Sequence, residues 1–243
     1  LDELISRNAT NNAYTITIHA NNATDLTAEN LNDIDGITTG AIDATAVTQI
    51  ASSTLAEVKT LMAAGNTNQF TALGTGLTKV TVSDGSMKAS DLNTAISGAD
   101  TINGNGTTVF DLTANITITS AHNDVNNATA MSHLTTLLTN ETNSLVTSGG
   151  VAGLTGQAIT VTGETISVQN ALDLDNTTTG VVTAEIATVE YQANGNGNSL
   201  DELISRNATN NAYEITIHGN NATNLTAENL NDIDGITTGA INA

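Results

Sequence analysis

Residues 1–44 return almost unchanged as residues 200–243. The two stretches are identical at 40 of 44 positions and differ only at Thr15/Glu214, Ala20/Gly219, Asp25/Asn224 and Asp43/Asn242. Near-identity at a spacing of 199 residues is the mark of a tandem array, in which each unit closes its apolar faces against its neighbours. The expected organisation is one full repeat unit over 1–199 and the start of the next over 200–243, so that the chain is a window on a longer array.

Composition narrows what such an array can be. Thr (44) and Asn (32) dominate, and only five aromatics occur: Tyr14, Phe70, Phe110, Tyr191 and Tyr213. A core without large rings has to be narrow and filled by β-branched and small residues. The 25 acidic residues face only Arg7, Lys59, Lys79, Lys88 and Arg206, a net charge of −20. That surface repels a phosphate backbone and an anionic bilayer, which argues against direct nucleic-acid binding and electrostatic membrane docking. With no cysteine, disulfides and thiol chemistry are ruled out, and no apolar run approaches the roughly 18 residues of a membrane span.

Smaller periods lie inside the large one. Residues 15–19 (TITIH), 79–83 (KVTVS) and 158–162 (AITVT) alternate in the manner of half-buried strands. Each is followed by a short polar or helical link carrying Leu or Ile (LTAENLNDI, MKASDLNTAI, ISVQNALDL). Next comes a Gly-marked turn at 38–40, 103–106 or 178–180, and then a second apolar run at 41–50, 109–118 or 181–191. Helices are predicted next: Leu55, Val58, Leu61 and Met62 form one stripe, Met131, Leu134, Leu137 and Leu138 a second, and Leu200, Leu203 and Ile204 part of a third. Thr54 with Glu57 and Ser199 with Glu202 stand where capping boxes belong, placing helices at 54–64 and 199–206. These periods divide the unit into subunits of about 14–77, 78–154 and 155–212. They predict a mainly β protein with short helices, an elongated parallel β-solenoid without a single proline to interrupt its ladders. A row of β-sandwiches alternates similarly but leaves the amphipathic helices unexplained.

Chemistry-bearing motifs are sparse. Asp33 and Asp35, their copies Asp232 and Asp234, and Asp173 and Asp175 pair carboxylates at alternate positions beside a Gly or Asn, the minimum that a calcium loop requires. The EF-hand spacing and the GGxGxD nonapeptide are both missing, and a turn or capping role is the plainer reading of these aspartates. No cofactor is expected, calcium being the one candidate these residues offer. His19, His122, His133 and His218 have no nucleophile partner at catalytic spacing, so no enzyme is expected. The ten N-x-S/T sequons are close to what this composition yields by chance. Thr15/Thr17, Thr117/Thr119 and Thr160/Thr162 are too irregularly spaced for an ice-binding array.

The succession of an xITV strand, LTAENLNDIDGITTG at 26–40 and a Val/Ile-rich run, with a second clear stretch at 166–184, resembles degenerate tandem repeats of giant secreted cell-surface proteins of cyanobacteria and other marine bacteria. The resemblance implies an extracellular or cell-surface location and a role in adhesion, surface coating, filament formation or motility, and carries no catalytic residue over. The expected function is therefore a non-enzymatic structural repeat that forms a rod or filament by end-to-end stacking, with neighbouring copies as partners. The alternative is an adhesin stalk or binding module that recognises glycan or mineral surfaces.

Overall fold

The computed structural model describes residues 12–20, 24–66, 69–71, 73, 76–103, 108–113, 117–121, 130–143, 150–186, 199–205, 211–217 and 225–242. In chain order the elements are β1 (Ile16–Thr17), α1 (Ala28–Gly36), β2 (Ile42–Asp43), β3 (Gln49–Ser53), α2 (Leu55–Asn66), β4 (Phe70–Thr71), β5 (Lys79–Val82), β6 (Ser86–Lys88), α3 (Ala89–Asn103), β7 (Val109–Leu112) and β8 (Thr117–Ala121). They continue with α4 (Ala130–Asn143), β9 (Gly150–Ala152), a 3-10 turn (Leu154–Gly156), β10 (Ala158–Ile166), α5 (Val168–Thr177), β11 (Val182–Ile186), α6 (Leu200–Ser205), β12 (Ala212–Thr216), α7 (Ala227–Ile236) and β13 (Ile241–Asn242).

The chain forms two units. The first comprises residues 1–116 and 136–153, the second residues 117–135 and 154–243. In the first, one sheet runs β1-β2-β4 and another β3-β5-β7-β9, all parallel. Ile50, Val80, Phe110 and Val151 are successive register partners across the four strands and are all buried, so one column of side chains runs through the sheet. The apolar faces of α1, α2 and α3 complete this core with Leu31, Ile34, Val58, Leu61, Leu92 and Ile96. In the second unit β13, β12, β11, β10 and β8 follow one another in parallel, and Ile186, Ile215 and Ile241 are register partners. Partners lie a short chain interval apart: Gln49 pairs with Lys79 and Lys79 with Val109. The chain between each of these pairs of parallel strands includes a helix, the usual form of a parallel crossover.

The mainly β solenoid expected from the alternating segments is not what forms. The fold is α/β, with three parallel sheets and seven helices, and is 44% helical over the described residues. Three of those helices, α1, α3 and α5, lie largely on the links between strand and turn. Their apolar residues recur at helical spacing, as in Ala28, Leu31 and Ile34 of α1 or Val168, Ala171, Leu172 and Leu174 of α5, and all are buried. Asn, Asp and Thr have weak intrinsic helix preference, and packing of one apolar face overrides it.

Capping follows the same lesson. The Thr54 box forms, with Thr54 N donating to Glu57 Oε2 at 2.8 Å and Glu57 N to Thr54 Oγ1 at 3.3 Å. The Ser199 box does not: Ser199 Oγ and Glu202 Oε2 are buried without hydrogen-bond partners, although α6 itself is present. Two further boxes close at Thr27 with Asn30 and at Thr226 with Asn229, where an Asn amide replaces the usual Glu. Some N-terminal amides are capped by side chains distant in sequence, on strands β3 and β10 or on the turn after β5. Ala28 N donates to Ser53 Oγ at 2.8 Å, Leu55 N to Asp84 Oδ2 at 2.6 Å, and Met131 N to Glu164 Oε1 at 3.1 Å.

One corner recurs three times. Thr38 Oγ1 donates to Tyr14 O at 2.6 Å while accepting from Gly40 N at 2.9 Å, and Thr39 N donates to Asn12 O at 2.7 Å. Thr178, Thr179 and Gly180 repeat these bonds against Gln157 and Thr155, as do Thr237, Thr238 and Gly239 against Tyr213 and Asn211. The Thr hydroxyl latches the corner to the preceding strand by satisfying carbonyls that the ladder leaves open.

Candidate functional surfaces

The duplicated segment allows one sequence to be seen in two surroundings. Its described parts fold alike in both units. Asn12 bridges Thr38 as Asn211 bridges Thr237. Ile16 pairs with Ile42 and Thr17 with Asp43, as Ile215 pairs with Ile241 and Thr216 with Asn242. Helices α1 and α7 carry the same capping box.

Burial of the two copies differs on opposite faces. Tyr213 is fully buried beside its register partner Ala184, its hydroxyl 3.4 Å from Ala171 O, whereas its counterpart Tyr14 is 42% exposed. Burial, with Asp175 as a lesser cause, raises the Tyr213 phenol well above its ordinary range. On the other side Leu31 is fully buried and its counterpart Leu230 is 38% exposed; Ala28 is buried and Ala227 exposed. The first copy is thus covered on its α1 side and bare at Tyr14, and the second is covered at Tyr213 and bare on α7.

Two of the four sequence differences form a matched pair. Asn242 Nδ2 donates to Glu214 Oε1 at 3.3 Å. In the first copy, Thr15 replaces the Glu, and Asp43 instead accepts from Thr45 N and Thr45 Oγ1, at 3.1 and 2.6 Å. A carboxylate at both positions would set like charges side by side.

A groove of about 360 Å³ lies on the second unit's sheet, lined by Thr160, Thr162, Glu164, Thr183, Glu185 and Glu214 among others. Glu185 and Glu214 are register partners on neighbouring strands. Glu164 is engaged with Met131 N and Glu214 with Asn242, so both act on the protein's own groups.

The six carboxylates considered for calcium all sit within helices: Asp33 and Asp35 on α1, Asp173 and Asp175 on α5, Asp232 and Asp234 on α7. Alternate residues on a helix point about 200° apart, so neither member of a pair shares a face with the other. Asp173 accepts from Gln169 Nε2 at 2.8 Å and Asp175 from Asn211 Nδ2 at 2.7 Å. Among the described residues no group of three or more His, Asp or Glu side chains is arranged to hold a metal ion. His19 is exposed, His133 lies on α4, and His122 and His218 fall outside the described residues. Of the sequons, Asn140 and Asn176 lie in α4 and α5 and the others fall outside the described residues.

Asp35 and Asp100 are held above the ordinary carboxylate range by burial, and Oδ1 of each is buried without a hydrogen-bond partner. A raised native pKa means that the folded state holds the proton more tightly than the unfolded chain, so ionisation opposes folding. The penalty is absent below the ordinary Asp range near about pH 4 and grows as pH rises through the native value. Asp43 has the opposite sign, because bonds from Thr45 depress its pKa. Melting scans between pH 4 and 7 are expected to show Asp35→Asn raising the Tm most at neutral pH and flattening the profile, while Asp234→Asn at the exposed counterpart changes it less. Parallel profiles for the wild type and Asp35→Asn would refute this assignment.

Comparison with protein-family models, curated proteins and solved structures finds no match. Among the described residues, no helix is long and apolar enough to cross a membrane.

Proposed function

We propose that this chain is a non-enzymatic structural repeat of an extracellular or cell-surface protein, building a rod or filament by end-to-end stacking of repeats. The observation that carries the reading is the reciprocal burial of one sequence in two places: Tyr213 covered where Tyr14 is bare, and Leu31 covered where Leu230 is bare. A repeat whose two faces are each closed somewhere in the same chain has the surfaces that stacking needs. The acidic surface, the absence of cysteine and the scarcity of cations support a location outside the cell and an unreactive role.

The test is a series of chains carrying one, two and three copies of the 199-residue period. Small-angle scattering is expected to show the maximum dimension growing by a constant increment per copy, and electron microscopy to show unbranched rods of uniform width. Growth that falls off with copy number, with irregularly spaced beads in the images, would overturn the proposal; binding on a glycan array in that case would favour the adhesin reading.

A further inference from the structure

We infer that the bare face of α7, carrying Ala227, Leu230 and Asn231, together with Leu225 just ahead of its N-cap, is the docking site for a strand-and-helix segment with the sequence of residues 45–66. This deepens the structural-repeat reading by naming what closes one face of the repeat.

The occupant is identified by the first copy, where the same face is closed. There β3 and α2 lie against α1, and their contacts use groups that the second copy also possesses. Ala51 N donates to Leu26 O at 2.8 Å. Ser53 Oγ accepts from Ala28 N at 2.8 Å and donates to Ala51 O at 2.7 Å, so one hydroxyl caps a helix and ties down its own strand. Asn32 Nδ2 donates to Glu57 O at 3.0 Å. The apolar stripe of Leu55, Val58, Leu61 and Met62 is buried, as are Ala28 and Leu31 across from it.

Leu225 O, Ala227 N, Leu230 and Asn231 Nδ2 are the counterparts, residue for residue, of the acceptor, donors and apolar side chain used there, beside a helix with the same capping box. Ala227, Leu230 and Asn231 are all exposed. None of the four sequence differences falls at Leu225, Ala227, Leu230 or Asn231, so the groups that meet residues 45–66 in one unit are the same residues in the other. An amide at the first turn of a helix wants an oxygen acceptor, and an exposed Leu beside it wants an apolar cover. A Ser-bearing strand followed by a Leu/Val-striped helix supplies both.

The experiment extends the full chain after Ala243 with the sequence of residues 45–66, which joins it through the link seen after Ala44. Hydrogen exchange is compared with that of the unextended chain and of a chain carrying a scrambled extension. Exchange at Ala227 to Asn231 is expected to slow at least tenfold with the native-sequence extension alone. Leu230→Asp is expected to abolish that protection in the extended chain while leaving the unextended chain's melting temperature within error, since Leu230 is exposed there. Equal exchange with native and scrambled extensions would overturn the inference, as would protection insensitive to Leu230→Asp. Rods in the scattering series together with an unprotected α7 would remove this docking site and leave the repeat reading standing; the reverse result would do the opposite.

Discussion

Tyr213→Ala is expected to destabilise the protein by about 3–5 kcal/mol, the usual cost of deleting a fully buried ring, while Tyr14→Ala costs less than about 0.5 kcal/mol. The two tyrosines sit in copies of one sequence, so local propensity cancels and only tertiary cover distinguishes them. Tyr213 fills space beside Ala184 and Ala171, and its removal leaves a cavity in the second unit's core. Tyr14 is 42% exposed, and its ring already meets solvent. Urea unfolding of the two single variants measures the contrast directly. Equal losses would mean that the two copies share one environment, and the reciprocal burial behind the functional proposal would fall with them.

The second large effect is at the corner glycines. A Cβ on Gly180 would stand 2.3 Å from Gln157 O and 2.5 Å from the carbon of that carbonyl, and both atoms are backbone. Gly40 and Gly239 meet Tyr14 O and Tyr213 O in the same way, at 2.3 and 2.2 Å. No side chain can turn aside to make room, so the strand has to move and the Thr178 latch has to break. Gly180→Ala is therefore expected to cost about 3 kcal/mol, at the upper end of ordinary overpacking. Gly235→Ala is the control: nothing lies within 4 Å of its Cβ, and within α7 the change is expected to stabilise by up to about 1 kcal/mol. Thermal melts of the two variants should move in opposite directions. A Gly180→Ala protein that melts with the wild type would show that the corner is not closed by this contact.

Legibility followed the kind of signal. Apolar alternation in KVTV and AITVT marked β5 and β10, because a pleated, half-buried strand leaves a period of two in the sequence. The stripe of Leu55, Val58, Leu61 and Met62 marked α2 for the matching reason. The equally regular Ala28, Leu31 and Ile34 left the link polar or helical, because the surrounding Asn and Asp are also ordinary turn and capping residues. Within a helix those aspartates point apart. Ser53 illustrates the other limit: its role as a cap depends on Ala28, 25 residues away, and local sequence contains no trace of that distance.

By itself the sequence determined that the chain is built of repeated units, that alternating stretches become strands, and that an acidic, cysteine-free surface surrounds them. These are properties of composition and short spacing, which a linear chain carries openly. Only the tertiary structure decided that the weak helix formers of α1, α3 and α5 become helices, since burial of one face outweighs their intrinsic preference. It alone decided, too, that two copies of one sequence meet different fates. Tyr14 and Tyr213, like Leu31 and Leu230, are the same residues in the same local fold, and what separates them is whether another part of the chain lies against them.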